Sequence, residues 1–237
     1  MRGAAASGGK KDHVSTSPQA NTATIVIGPD DAAEYLRRMD INIADVHQAI
    51  EAGDIAAGNK TKHHPVTAAG MSRWLDTVGV LRSRLALGQW VSSDPRNRPV
   101  SEHCEQLYGL STVGATEQTG IADHPSGPRA ARRKGIGTAE AVNSTIPLIT
   151  VETLRRQAPV PDGASPPAGN WFLLYYRDAD EVRAEISLPL GFEGGQFTGW
   201  VVRVILPEWR PADGAAARKP LDVGGQDVEF QVSEVAS

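Results

Sequence analysis

Four cations and no acid occupy the stretch Pro128-Arg129-Ala130-Ala131-Arg132-Arg133-Lys134-Gly135-Ile136-Gly137-Thr138. That mixture suits an anion: arginine and lysine supply charge-assisted hydrogen bonds, glycines let backbone amides approach, and a helix starting after them presents unpaired N–H groups. The residues expected to meet a phosphate-bearing ligand are Arg129, Arg132, Arg133, Lys134, Gly135, Gly137 and Thr138. The stretch is not a P-loop, which needs Gly, four residues, then Gly-Lys-Ser/Thr; here the lysine precedes the glycines. A flexible, solvated loop whose cations only face water is the competing reading.

A second basic region adds Lys60 and Lys62 to Arg73, Arg82 and Arg84, with Asp76 the one acid between Lys60 and Arg84. A helix carrying these cations on one side would extend the loop into a surface that tracks phosphates. An ordinary soluble helix face explains them equally well.

Other chemistry finds little support. His63-His64 and His103-Cys104 lack the spacing of a metal cage, and one cysteine makes no thiolate site alone, so no metal is expected. Asp178, Asp180, Glu181 and Glu185 gather around one turn. Metal-dependent nuclease chemistry usually adds a nearby lysine, and none lies between Leu174 and Pro207. No catalytic residue is assigned, and no cofactor is expected.

The elements that must position the basic loop come from the periodicity. Residues 171–206 predict a three-strand meander. Val182, Ala184, Ile186 and Leu188 alternate with Arg183, Glu185 and Ser187, the period of a strand with one core face and one wet face. Pro189 should end that strand, and Glu193-Gly194-Gly195 should turn the chain into the next one. A long helix is predicted from about Thr67 to Leu87, its stripe of Trp74, Leu75, Val78, Leu81, Leu85 and Met71 facing the sheet, with Gly88 as C-cap and Gly79 as the place for a kink or a close crossing.

Upstream, Thr24 to Ile27 reads as a short strand. Two helices follow, one capped by Asp30 or Asp31 and one restarting at Asn42. Their seam residues Tyr35, Met39, Ile41, Val46 and Ala49 have helix-turn-helix spacing. Charge opposes a DNA reader: Asp30, Asp31, Glu34, Asp40, Asp45 and Glu51 face only Arg37 and Arg38. A helical hairpin packed on the sheet is expected instead.

Ser92 to Pro99 and Thr116 to Gly137 read as loops, Leu107 to Ala115 as a strand, and Thr138 to Ser144 as a short helix with Thr138 as N-cap. Ile149 to Gln157 reads as another short helix and Val228 to Val232 as a last strand. Residues 1–23 have the composition of a disordered tail. Residues 24–237 are expected to form a single domain, with a sub-boundary near 159–169. The fold class expected is α+β: an N-terminal helical part followed by a mainly antiparallel meander with one long helix packed on it.

The 237-residue chain is long enough for a substantial core, and its net charge of −4 gives no global attraction to nucleic acid or membrane. No apolar run reaches the ~18 residues of a membrane span, and no secretory leader is read at the start. The lone Cys104 gives no sign of an oxidising compartment, so a cytoplasmic protein without a membrane partner is expected. The Ala, Gly and Arg usage suggests a bacterial source. The first functional expectation is a non-enzymatic binding protein or accessory subunit of a larger bacterial assembly, contacting nucleic acid through the basic loop. An enzyme acting on a phosphorylated small molecule or nucleotide, and a purely protein-protein subunit, are the alternatives.

Overall fold

The computed structural model describes residues 24–145 and 165–211. Strands β1 (Ile25–Ile27), β2 (Trp90–Ser93), β3 (Val100–His103), β4 (Tyr108–Gly114), β5 (Gly169–Arg177), β6 (Val182–Glu193) and β7 (Gln196–Ile205) join in one sheet. Its order is β1-β7-β6-β5-β4-β3-β2. Helices α1 (Pro29–Arg37), α2 (Ile43–Gly58), α3 (Ala68–Leu85) and α4 (Ile136–Thr145) complete the described elements with a 3-10 turn at Pro95–Asn97.

The α+β fold is therefore built on a seven-stranded mixed sheet, which corrects the expected antiparallel meander. β1 pairs parallel to β7 and β4 pairs parallel to β5, while the other neighbours are antiparallel. The expectation failed on what flanks β5, β6 and β7. β1 precedes the helices in sequence yet closes the β7 edge. β2 and β3 are short and polar (WVSS and VSEH), so no alternating apolar pattern reveals them where Ser92 to Pro99 reads as loop.

Both faces of the sheet are covered. Trp171, Leu173 and Tyr175 join Tyr35, Leu36, Met39, Val46, Ile50 and Leu81 on the side of α1, α2 and α3. Phe172 and Leu174 pack on the opposite side with Val113, Ala130, Val142, Phe197 and Trp200. The expected wet face of β6 is thus buried as well: Glu185 and Ser187 are each 0% exposed. Nor does Pro189 end β6. It lies opposite Trp200 where the register shifts, and such an irregularity accommodates a residue without an N–H.

Local sequence explains the helix ends. Gly28 is the N-cap of α1, with Pro29 opening the helix and Asp30 and Asp31 in its first turn, where carboxylates favour the positive end of the dipole. The caps expected at Asp30 or Asp31 are therefore inside the helix. Asn42 caps α2, its Oδ1 accepting the Ala44 N–H at 2.9 Å. Between these helices Asp40 takes a left-handed φ of 53°. Its carboxylate accepts from His103 Nε2 at 2.9 Å, and its carbonyl accepts from Trp90 Nε1 at 3.3 Å. His103 Nδ1 in turn accepts the Glu105 and Gln106 amides at 3.1 Å each, which places the ring proton on Nε2.

The long helix differs from its expected outline in three ways. It ends with Ala86 as C-cap rather than Gly88. Met71 and Leu75 of the expected stripe are exposed, while Val78, Leu81 and Leu85 are buried. The close crossing is at Gly53 of α2, not at Gly79. A Cβ on Gly53 would lie 2.1 Å from Thr77 Oγ1 and 2.6 Å from the Arg73 carbonyl, whereas one on Gly79 meets nothing within 4 Å.

Among the described residues no helix is long and apolar enough to cross a membrane. The expected tail at 1–23, the helix at 149–157, most of the 159–169 linker and the strand at 228–232 lie outside the described residues.

Candidate functional site

The basic stretch is held in place rather than free. Residues 115–135 form a strap across the β5-β6-β7 face. Ala130 bridges Ala115, and the Ala131 N–H donates to the Gly114 carbonyl at 2.9 Å. Gln196 clasps Ala130 through both ends of its amide, at 3.0 and 3.1 Å. Trp200 Nε1 donates to the Pro128 carbonyl at 3.2 Å, and the Lys134 N–H donates to the Gly195 carbonyl at 2.9 Å. The exposed, irregular loop expected over Thr116 to Gly137 is in fact bonded along the sheet.

Below the strap lies the ion pair of Glu185 and Arg203. Arg203 Nη2 and Nε approach Glu185 Oε2 and Oε1 at 2.6 and 3.0 Å. The Ser187 hydroxyl at 2.8 Å and the strap's Gly120 N–H at 3.0 Å also donate to the carboxylate. These bonds satisfy a charge pair shut away from water.

The strap delivers Lys134 to a cavity at the edge of the sheet. β3 pairs with β4 only as far as Ser101 with Leu110, and beyond that point the Ser111 hydroxyl donates to the Pro99 carbonyl at 3.1 Å while Ser111 to Val113 have no paired β3 residue. α3 fills part of that edge, Trp74 Nε1 donating to the Thr112 carbonyl at 3.0 Å. The chain after the 3-10 turn fills another part, Arg98 Nη1 donating to the Ser111 hydroxyl at 2.6 Å and Nη2 to Asn170 Oδ1 at 3.3 Å. What is left is a cavity of about 220 Å³. Its polar wall carries Arg96, Arg98, Lys134, Ser111, Thr112 and Thr138, and its apolar wall Trp74, Val113 and Phe172. Gly135 and Gly137 line it beside the first turn of α4.

The charges there are unevenly matched. Arg96 is neutralised, its Nε lying 2.7 Å from Glu140 Oε2. Arg98 and Lys134 have no carboxylate within 4 Å among the described residues. Burial lowers the Arg98 pKa, partly opposed by Glu102. Burial also lowers the Lys134 pKa, and the nearby Arg132 charge adds to the effect. Two cations without an ion-pair partner among the described residues thus share one concave wall, next to hydroxyls and a low-dielectric aromatic surface.

Of the residues read from the sequence, the structure brings Lys134, Gly135, Gly137 and Thr138 to this cavity. Arg129, Arg132 and Arg133 are exposed on the strap, and none forms an ion pair among the described residues. Lys60 and Lys62 lie in the connection between α2 and α3 and do not line the cavity. Thr138 is not the N-cap of α4, which begins at Ile136. Sequence reading missed Arg96 and Arg98. The available signal was the pair of arginines between prolines in Pro95-Arg96-Asn97-Arg98-Pro99, where prolines restrict the backbone.

A larger cavity of about 410 Å³ lies elsewhere, lined in part by Arg183, Glu208 and Arg210. Its cations are matched: Arg210 lies 3.3 and 3.2 Å from Glu181 and Glu208, and Arg183 lies 3.7 and 3.8 Å from Glu181 and Asp178. The smaller cavity is the better candidate for an anion because its charges are not. Among the described residues no group of three or more His, Cys, Asp or Glu side chains could hold a metal ion.

No protein-family model, curated protein or solved structure matches the chain.

Proposed function

We propose that the protein binds a phosphate-bearing ligand at the Arg98 and Lys134 cavity, and that this ligand is nucleic acid tracked outward by Arg129, Arg132 and Arg133. The observation that carries the reading is that neither Arg98 nor Lys134 forms an ion pair among the described residues, although both line one cavity and only Glu102 acts on Arg98, from beyond 4 Å. Folding does not favour removing uncompensated charge from water, so an anion arriving from outside is the natural complement. The three exposed arginines add backbone contacts that a compact ligand would leave unused. Binding is the reading put first because, among the described residues, the cavity's lining includes no carboxylate and no histidine, and Lys134 is left without a second acid-base group beside it.

Labelled single- and double-stranded oligonucleotides, titrated at two salt concentrations, test this. Binding should weaken with salt, and Arg129→Ala/Arg132→Ala/Arg133→Ala should flatten the log-log slope by about 2 on single strands, at roughly 0.7 per lost contact. No binding to any strand at low salt would sink the nucleic-acid reading. A phosphorylated small molecule is the second reading, favoured by the concavity of the site. It would leave the triple variant unimpaired for inorganic phosphate or a mononucleotide.

A further inference from the structure

We infer that the cavity takes a terminal phosphate, the dianionic phosphomonoester at the end of a ligand, rather than an internal phosphodiester of a strand. The inference rests on the phosphate reading above and narrows it to one chemical group.

Size gives the first argument. Pockets that enclose a drug-sized ligand measure roughly 300 to 1,000 Å³. At about 220 Å³ this cavity holds a group, with the remainder of the ligand outside its mouth. An internal phosphodiester has two ester arms, and both would have to leave through the same opening. A monoester has one.

Charge gives the second. Arg96 is already paired with Glu140, so two positive charges remain, on Arg98 and Lys134. A phosphomonoester carries about −1.5 to −2 near neutral pH, whereas a diester carries one negative charge. With Glu102 acting on Arg98 only from beyond 4 Å, the monoester matches the two cations more closely than the diester does.

Donor geometry gives the third. Arg98 has five N–H donors, and its bonds to Ser111 and Asn170 account for two of them. Those same bonds fix the guanidinium, so little side-chain entropy is lost on binding. Lys134 sits on a strap whose backbone is tied to Gly195, and its ammonium supplies three more donors. The Trp74 and Phe172 walls set low-dielectric surface beside the charges, which strengthens their interaction with an anion. Arg132 does not line the cavity but is close enough to depress the Lys134 pKa, so it adds positive charge beside the site.

The test uses the full chain and single-stranded oligonucleotides of one sequence, ending in a 5′-phosphate, a 3′-phosphate or hydroxyls at both ends, each labelled away from the varied end. Inorganic phosphate and a nucleoside monophosphate serve as competitors. A phosphorylated end should tighten binding roughly tenfold or more, the weight of a single charge-assisted hydrogen bond. Arg98→Gln and Lys134→Met should each erase that preference, and Lys134→Met leaves the Ser111 and Asn170 contacts intact should Arg98→Gln misfold. Salt-sensitive binding that is equal for phosphate and hydroxyl ends would overturn the inference and leave the nucleic-acid reading standing. Binding of inorganic phosphate or the monophosphate alone, lost in Lys134→Met, would support the terminal-phosphate site while removing the polymer. Binding of none of these probes would overturn both.

Discussion

Glu185 and Arg203 are joined by two hydrogen bonds of 2.6 and 3.0 Å across neighbouring strands, with 0% and 2% of the two residues exposed. Removing one partner leaves the other charged in a sealed site. Glu185→Ala should therefore destabilise by about 3 to 5 kcal/mol in urea unfolding. Replacing both with apolar residues of similar volume should recover most of that loss, because the desolvation of two ions disappears together. An additive double variant would show that the pair is not coupled.

Two glycines in helices invite opposite outcomes. Gly53→Ala puts a methyl group 2.1 Å from Thr77 Oγ1 and 2.6 Å from a backbone carbonyl, so α2 and α3 must move apart. A loss of about 1 to 3 kcal/mol is expected. Gly79→Ala meets open space inside α3 and should gain up to about 1 kcal/mol from a less entropic unfolded chain. Thermal unfolding of the two variants side by side reads the difference in sign.

The strap should be breakable at Gly127, whose φ is 63° and whose added Cβ would lie 2.5 Å from Trp200 Cδ1. Gly127→Ala should loosen residues 116–135 and speed tryptic cleavage at Arg129, Arg132 and Arg133 at least severalfold. Unchanged cleavage kinetics would mean that the strap is held without that contact.

Stability should respond to alkaline pH in two opposing stages. Lys134 has a folded-state pKa below its ordinary 10.5, so the unfolded chain binds its proton more tightly. Stability from this group therefore rises as pH climbs from the folded value toward 10.5. Burial pushes Tyr175 up to about 12 and also raises Tyr35 and Tyr108 above their ordinary 10.0. For these the unfolded chain loses protons first, and stability falls as pH rises above about 10. Lys134→Met should abolish the first stage and leave the second, as measured by urea midpoints across the alkaline range. A nearby phosphate would reverse the Lys134 shift, so binding should be accompanied by proton uptake there.

The strands in the middle of the sheet were legible because Trp171 to Tyr176 and Val182 to Leu188 carry enough apolar residues to show a period. The face assignment was not. Arg183, Glu185 and Ser187 have the composition of a solvated face, and the strap that buries Glu185 and Ser187 has no period of its own. Gly120 and Gly127, both with positive φ, are its turning points, but isolated glycines in a polar stretch look the same in a mobile loop. The candidate site was half legible for a related reason. Lys134 lies in a dense basic cluster that composition exposes. Arg98 depends on where β3 stops pairing with β4, a property of register that no local window contains.

β1 is among the earliest described parts of the chain, and it finds its partner in β7, where Ile25 to Ile27 lie beside Val202 to Val204. Thr24 Oγ1 also donates to the Trp200 carbonyl at 2.9 Å. During synthesis at roughly 5 to 20 residues per second, β1 leaves the ribosome on the order of 10 to 35 s before β7 exists to receive it. Its three residues are too few to offer a long adhesive edge to other chains in that interval. A longer apolar strand at the same place would spend the delay exposed, so the shortness of β1 suits a sheet whose last edge can close only after β7 has been made.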